Sequence, residues 1–414
     1  MSKNLAPALR PSTMDFVVSG ITHICKTFKR RAPGTQSERD AQDFFAKELK
    51  QWSDEVVVED FTLHPYAFTG FIPFSALFGI ISAILFFSIR SFPERSFTLG
   101  MIGAILLFIA AAMFFMEFVF YRKFVDFLFP KAVSRNVYAI KKPVGEVKQR
   151  IIFGGHADAP WEFTFFLHGQ MKSLIPAVAG SVGGMLVSLI VTVVYLIMGA
   201  PRIEGAWLVV AIVMLCLIPF YIAIMFFTNF RVIVDGANDN LSSCYASMAI
   251  MKEMTENDFR FENTEVCCLI TGSEEAGLRG AKAFCKQHTE ELKKVKTVFI
   301  PFEVLRECDQ LTVYDRDMNG FAPSCKAATK LLLAAGKKVG LDLKCATIPL
   351  GATDAAAFSQ AGISAAGLCG SRDTPQTYYH TRYDTYDNIS PECIQKAIEL
   401  GFEAAYMFDA GEEK

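Results

Sequence analysis

The sequence predicts an α/β fold: a mainly parallel mixed sheet sandwiched by helices, with four transmembrane helices inserted as two hairpins. Three observations predict it. Four long stretches, at residues 65–89, 96–116, 173–201 and 205–230, carry no charged side chain. Without them, the chain reads as short apolar or β-branched runs alternating with segments of helical periodicity. The predicted strands also end in side chains of the kinds that bind metal ions. Composition agrees, with 52% of the 414 residues hydrophobic and only 20% charged, and such a chain is not disordered. Its 41 basic and 43 acidic residues give a net charge of −2, which argues against a nucleic-acid partner.

The uncharged stretches come first. About 20 apolar residues cross a bilayer as a helix, and a buried core helix rarely runs that far without a polar face. Tips at 90–95 and 202–204 pair the stretches into hairpins at 67–130 and 173–228. Gly180 and Gly184 form a small-xxx-small pair that lets two helices approach closely. Glu117, at the edge of the second stretch, is expected to reach the aqueous interface. The tips carry Arg90, Arg95 and Arg202, whereas the other ends carry Arg122, Lys123, Lys131, Arg135, Lys172 and Arg231. Positive-inside counting puts the second group in the cytoplasm. The expectation is a multi-pass protein of the plasma membrane, with its soluble domain and both termini on the cytoplasmic side. Eleven cysteines, an odd number without framework spacing, fit reduced thiols there.

The soluble remainder, residues 1–66, 131–172 and 229–414, is long enough for one discontinuous domain. Residues 55–63, 136–140, 150–153, 265–270, 296–300 and 363–368 read as strands. Residues 40–52, 242–256, 275–294 and 323–335 have helical periodicity. Alternation of this kind builds a sheet covered on both faces, and ligands gather at the carboxyl ends of its strands.

Those ends hold Gly154-Gly-His-Ala-Asp158, Thr271-Gly-Ser-Glu-Glu275 and Phe302-Glu303. Gly236-Ala-Asn-Asp239 opens a helix, and Tyr378-Tyr-His380 lies near the end of the chain. Five groups of metal-ligand type therefore sit at strand ends or strand-to-helix turns: His156, Asp239, Glu275, Glu303 and His380. Two His and three carboxylates suit two Zn²⁺ ions with one carboxylate bridging, and other divalent metals also accept such ligands. A lone His-x-Asp is more often incidental, and a Glu pair opening a helix usually just answers its dipole. Five together make the incidental reading improbable.

At these residues the sequence resembles the co-catalytic di-zinc aminopeptidases, metallopeptidase family 28, which also includes glutamate carboxypeptidase-like and glutaminyl cyclase members. The resemblance runs from Pro33-Gly-Thr-Gln-Ser-Glu-Arg-Asp-Ala41 through Ser134-Arg-Asn-Val137, Gly155-His-Ala-Asp158, Gly236-Ala-Asn-Asp239 and Gly272-Ser-Glu-Glu275. It ends with Ala352-Thr-Asp-Ala355, Phe358 and His380-Thr-Arg-Tyr-Asp-Thr385. It implies Asp239 as the bridging ligand, with His156, Glu303, Glu275 and His380 divided between two zinc ions. It further implies Glu274 as general base, Asp158 as the carboxylate orienting His156, and Tyr379 as a helper at the oxyanion.

Three features depart from the family pattern. Glu303 stands where Asp is usual, Cys244 replaces a small residue, and the second hairpin separates His156 from Asp239. The implied function is a membrane-anchored zinc exopeptidase, in first place an aminopeptidase, with peptides and a lipid bilayer as partners. Two rivals stand beside it: a single-zinc glutaminyl cyclase-like acyltransferase and a non-catalytic membrane scaffold of peptidase-like fold. His23, His64, His168 and His288 fall outside the strand-end pattern and read as surface or packing residues, with His168 also a pocket candidate. Cys267 and Cys268 read as small apolar core residues. Arg372 and Arg382 are candidates for a substrate carboxylate or for structural ion pairs.

Overall fold

The computed structural model describes residues 9–348, 350–370 and 376–411. The chain divides into two compact units. One comprises Met1–Pro65, Pro130–Trp161 and Val232–Lys414, the other Tyr66–Phe129 and Glu162–Arg231.

The first unit is built on a ten-stranded sheet. Its strands are β1 (Glu55–Leu63), β2 (Ala132–Lys141), β3 (Gln149–His156), β4 (Thr264–Thr271) and β5 (Lys296–Glu303), followed by β6 (Thr312–Asp317), β7 (Ala322–Pro323), β8 (Lys344–Thr347), β9 (Ser364–Ala365) and β10 (Leu368–Cys369). The order is β1-β2-β4-β3-β5-β10-β6-β8, with β9 on β5 and β7 on β6. At the centre, β4, β3 and β5 run parallel, while β1 and β2 pair antiparallel at one side. The fold class expected from the alternation is the one found.

Burial follows the two-residue period of a strand. Ile151, Phe153, Val266, Cys268, Ile270, Ile300 and Phe302 point into one core. Ile152, Cys267, Leu269 and Phe299 point into a second core on the opposite face. Helices α1 (Pro11–Thr27), α2 (Gln36–Leu49), α3 (Ser242–Glu256), α5 (Lys326–Lys338) and α7 (Pro391–Asp409) supply the first core, and α4 (Arg279–Leu292) and α6 (Asp354–Gln360) the second. Cys267 and Cys268 thus serve as core residues of two different layers. Side chains fix several helix starts: Thr35 accepts from the Glu38 N–H, Thr353 from Ala355 and Ser390 from Cys393, each satisfying a donor the helix itself leaves unpaired.

Helix α4 starts at Arg279 rather than 275, because Glu274–Ala276 form a tight 3-10 turn bounded by left-handed Ser273 and Leu278. The run 363–368 splits into β9 and β10.

The second unit holds four helical segments long and apolar enough to cross a membrane: Ala67–Ser88, Pro93–Val119, Met171–Ile197 and Gly205–Ile224. Large apolar side chains stand outward on them, such as Phe108 (64% exposed), Ile197 (80%) and Val209 (61%). Gly180 and Gly184 meet Phe220 and Leu217 so closely that an added Cβ would lie 2.3 Å from one and 2.9 Å from the other. Glu117 does not reach outward as expected. It is buried and accepts the N–H groups of Phe124 and Val125 at 2.6 and 2.7 Å, because the chain turns back over it just beyond the helix.

Candidate metal centre

The parallel strands of the first unit deliver their carboxyl ends to one place. His156, the last residue of β3, stands beside Thr271 at the end of β4, and Gly154 stands beside Pro301 near the end of β5. The turn Gly272–Glu275 and Glu303 therefore emerge next to His156. Asp239 lies in the turn before α3, where the Asp239–Asn240 peptide is cis. His380 comes from the loop preceding α7, with a left-handed φ of 51°.

Asp239 is the hub. Its Oδ1 lies 3.2 Å from His156 Nε2, and its Oδ2 lies 3.1 Å from His380 Nε2. Glu303 approaches the first side, with Oε2 3.9 Å from His156 Nε2. Glu275 approaches the second, with Oε1 3.2 Å from His380 Nε2. Two groups result, His156–Asp239–Glu303 and Asp239–Glu275–His380, and in each the ligand atoms lie within 4.8 Å of one another. A third grouping joins His156 with Glu274 and Glu275. All five residues predicted as ligands are thus together, in two trios that share one carboxylate.

Electrostatics points the same way. Burial pushes Glu274, Glu275 and Glu303 above the ordinary carboxylate range. Asp239 is buried too, but hydrogen bonds from His156 and His380 outweigh burial and hold it low. Burial would lower His156, yet its bonds to Asp158 and Asp239 keep it well above its usual value. His380 rises to about 10, as the charge of Glu275 and its bonds to Asp239 and Glu275 overcome burial. Four carboxyl groups crowded around two imidazoles away from water repel one another, and divalent cations are the partners that stabilise their charged forms. The donor set and its pairing around Asp239 fit such ions.

Asp158 is fully buried. Its Oδ1 lies 3.4 Å from His156 Nδ1, which is also 3.3 Å from the Asp158 carbonyl. The two carboxylate oxygens also accept the N–H groups of Glu274 and Glu275, each at 3.0 Å. Glu274 Oε2 lies 3.8 Å from His156 Nε2. Tyr379 stacks on the His380 ring at 4.1 Å between centroids.

Other side chains support the ligands, of which Asn240 and Arg31 were not singled out from the sequence. Asn240 Nδ2 donates to Glu303 Oε2 at 2.6 Å, fixing the longer acidic side chain. Asp384, which burial raises to about 7, accepts from Asn238 Nδ2 and from the N–H groups of Asn238 and Asp239. Arg31 is buried and donates to the carbonyls of Ala157 and Asp235, tying the chain after His156 to the chain before Asp239. Cys244 donates to the His156 carbonyl at 3.1 Å.

Residues 225–405 match the model of peptidase family M28. The chain carries Asp239, Glu274, Glu275, Glu303 and His380 within the matched segment, and His156 and Asp158 ahead of it. Its fold is similar to that of an aminopeptidase from Aneurinibacillus sp. strain AM-1, with a TM-score of 0.56 at 14% identity over 97% of this chain and 95% of that one. A zinc aminopeptidase from Bacillus subtilis gives 0.56 at 14% over 98% and 96%. A glutaminyl cyclase from Fimbriiglobus ruber gives 0.55 at 13% over 98% and 99%. No curated protein matches the sequence significantly.

Among the remaining histidines, His288 pairs with Glu59, His23 packs on Phe28 and Phe44, and His168 belongs to the apolar unit. Arg372 lies outside the described residues.

Proposed function

We propose that this chain is an M28-type, membrane-anchored, zinc-dependent exopeptidase that removes amino-terminal residues from peptides. The observation that carries the reading is the split of Asp239, one oxygen toward His156 and the other toward His380. Such a carboxylate suits a pair of ions, with His156 and Glu303 completing one set of ligands and Glu275 and His380 the other. Zn²⁺ held by these residues supplies a water of lowered pKa and an electrophile for the peptide carbonyl.

The chain's own groups do the rest. Glu274 takes a proton from the attacking water onto its carboxylate and hands it to the leaving amine. Asp158 keeps the Nδ1 proton of His156 in place, leaving Nε2 free as a ligand. The Tyr379 hydroxyl donates to the oxygen on which charge develops. Glu303, steadied by Asn240, presents a carboxylate to the free α-amine. The outward apolar surface of the four helices supports insertion in a bilayer. Basic residues beside their non-tip ends support a cytoplasmic peptidase unit.

The test is Glu274→Gln, assayed with a peptide library by mass spectrometry, with and without a zinc chelator. The parent is expected to shorten peptides from the amino end unless zinc is removed. The variant should lose this activity and keep its zinc. Full activity in a metal-loaded Gln variant would sink the assignment. One zinc per chain with cyclisation of amino-terminal Gln would favour the cyclase chemistry instead.

A further inference from the structure

We propose that Glu38 is a positioning residue for Glu274 and Glu275, an inference that rests on the roles given to those residues above. Thr35 and Glu38 have the spacing of a capping box, in which the Glu reaches back to the N–H of the capping residue. Half of the box is present, since Thr35 Oγ1 accepts from the Glu38 N–H at 3.3 Å. The other half is not. The Thr35 N–H donates instead to the Ala32 carbonyl at 3.1 Å, and the Glu38 carboxyl group is released for other partners.

It finds them across the fold. Glu38 Oε2 accepts from the Gly34 N–H at 2.7 Å. Oε1 accepts from the Ser273 N–H at 2.6 Å and the Ser273 hydroxyl at 3.0 Å. Glu38 is fully buried, and a carboxyl group is removed from water only where donors meet it.

Ser273 adopts a left-handed φ of 53°, a conformation that L residues keep only where their surroundings impose it. Its N–H goes to Glu38, and the next two N–H groups, of Glu274 and Glu275, go to Asp158. Three successive backbone donors are thus held by two buried carboxyl groups approaching from different elements. The directions in which the side chains of Glu274 and Glu275 leave the turn follow from that grip. Asp158 acts from the His156 side and Glu38 from the first turn of α2.

The experiment uses the full chain in detergent and reads zinc affinity by chelator competition, together with kcat and KM on an aminoacyl test substrate. Glu38→Ala is expected to weaken zinc binding and lower kcat by about 10–100-fold, as outer supports of metal ligands do, with KM within about twofold. Glu38→Gln keeps an acceptor for the Ser273 N–H and should recover most of the loss. If the Ala variant does not fold, Glu38→Asp, one methylene short of Ser273, replaces it with the same expectation. Thr35→Ala weakens the start of α2 without touching the turn, and its zinc affinity and kcat should stay within about twofold of the parent.

A folded Ala or Asp variant with parental zinc affinity and kcat overturns the proposal. So does a Thr35→Ala variant that loses zinc affinity and kcat as they do. A parent that binds zinc but turns over no peptide or aminoacyl substrate overturns the functional reading, and the zinc arm still decides Glu38. A parent that binds no zinc overturns both.

Discussion

Replacing Asp158 by Asn changes one oxygen into an NH₂ group and little else, at a position where both oxygens are engaged. Oδ1 holds the Glu274 N–H and Oδ2 the Glu275 N–H, each at 3.0 Å. Whichever way the amide turns, its NH₂ faces one of these donors in a site closed to water, since Asp158 has no exposed surface. A buried donor left without a partner costs about 1–3 kcal/mol. The second loss falls on His156, whose Nδ1 is 3.4 Å from the carboxylate. Loss of such a partner lowers metal affinity about 10–100-fold, or about 1.4–2.8 kcal/mol. The two losses separate experimentally, because the first acts on the fold without metal and the second acts only when metal binds. Thermal unfolding in chelator should show the first, and competition titration with Zn²⁺ the second. An Asn variant that folds and binds zinc as tightly as the parent would refute this account of Asp158.

Two further outcomes follow from packing and from burial. In Gly155→Ala, the new Cβ would lie 2.8 Å from the Cys244 nitrogen and from Ser243 Cβ at the start of α3. Relieving that overlap costs about 1–3 kcal/mol and moves α3 away from His156, so unfolding temperature and zinc affinity should both fall. Unchanged values would show that the strand and helix yield freely. Asp317 is fully buried under the start of α6, accepting from the N–H and hydroxyl of Thr353, and burial raises its carboxyl from 3.8 to about 6. The protonated form is the one the fold prefers. Its contribution is full below pH 3.8 and is lost as pH rises through about 6, a change on the order of 3 kcal/mol. The stability of the parent relative to Asp317→Asn should therefore decline across that interval, and parallel curves for the two proteins would contradict it.

Much of this site is legible in the sequence because its chemistry sits on local signals. A strand such as β3 is buried on both faces and so appears as a continuous apolar run, and the residues just past its end announce themselves. His156, Glu274, Glu275 and Glu303 are found that way. Glu38 and Arg31 are not, because nothing near them in the chain shows where they point. Glu38 reads as half of an ordinary helix cap until its carboxyl group is seen on Ser273, and Arg31 as one more basic residue until its carbonyl partners appear. The short strands β7, β9 and β10 carry too few residues to show a period. Glu117 misled because the turn that buries it begins only after the apolar stretch ends.

The ligands are also ordered in time. His156 is synthesised before the second pair of apolar helices, whereas Asp239, Glu275, Glu303 and His380 all come after it. Strand β1 waits for β2 across the first pair, and β3 waits for β4 across the second. A growing chain therefore exposes a lone His156 and unpaired strands until all four apolar helices have left the ribosome. If those helices enter a bilayer as they emerge, the capacity to cut peptides is the last property the protein acquires. A nascent chain stalled before residue 239 has no shared carboxylate and no centre to assemble.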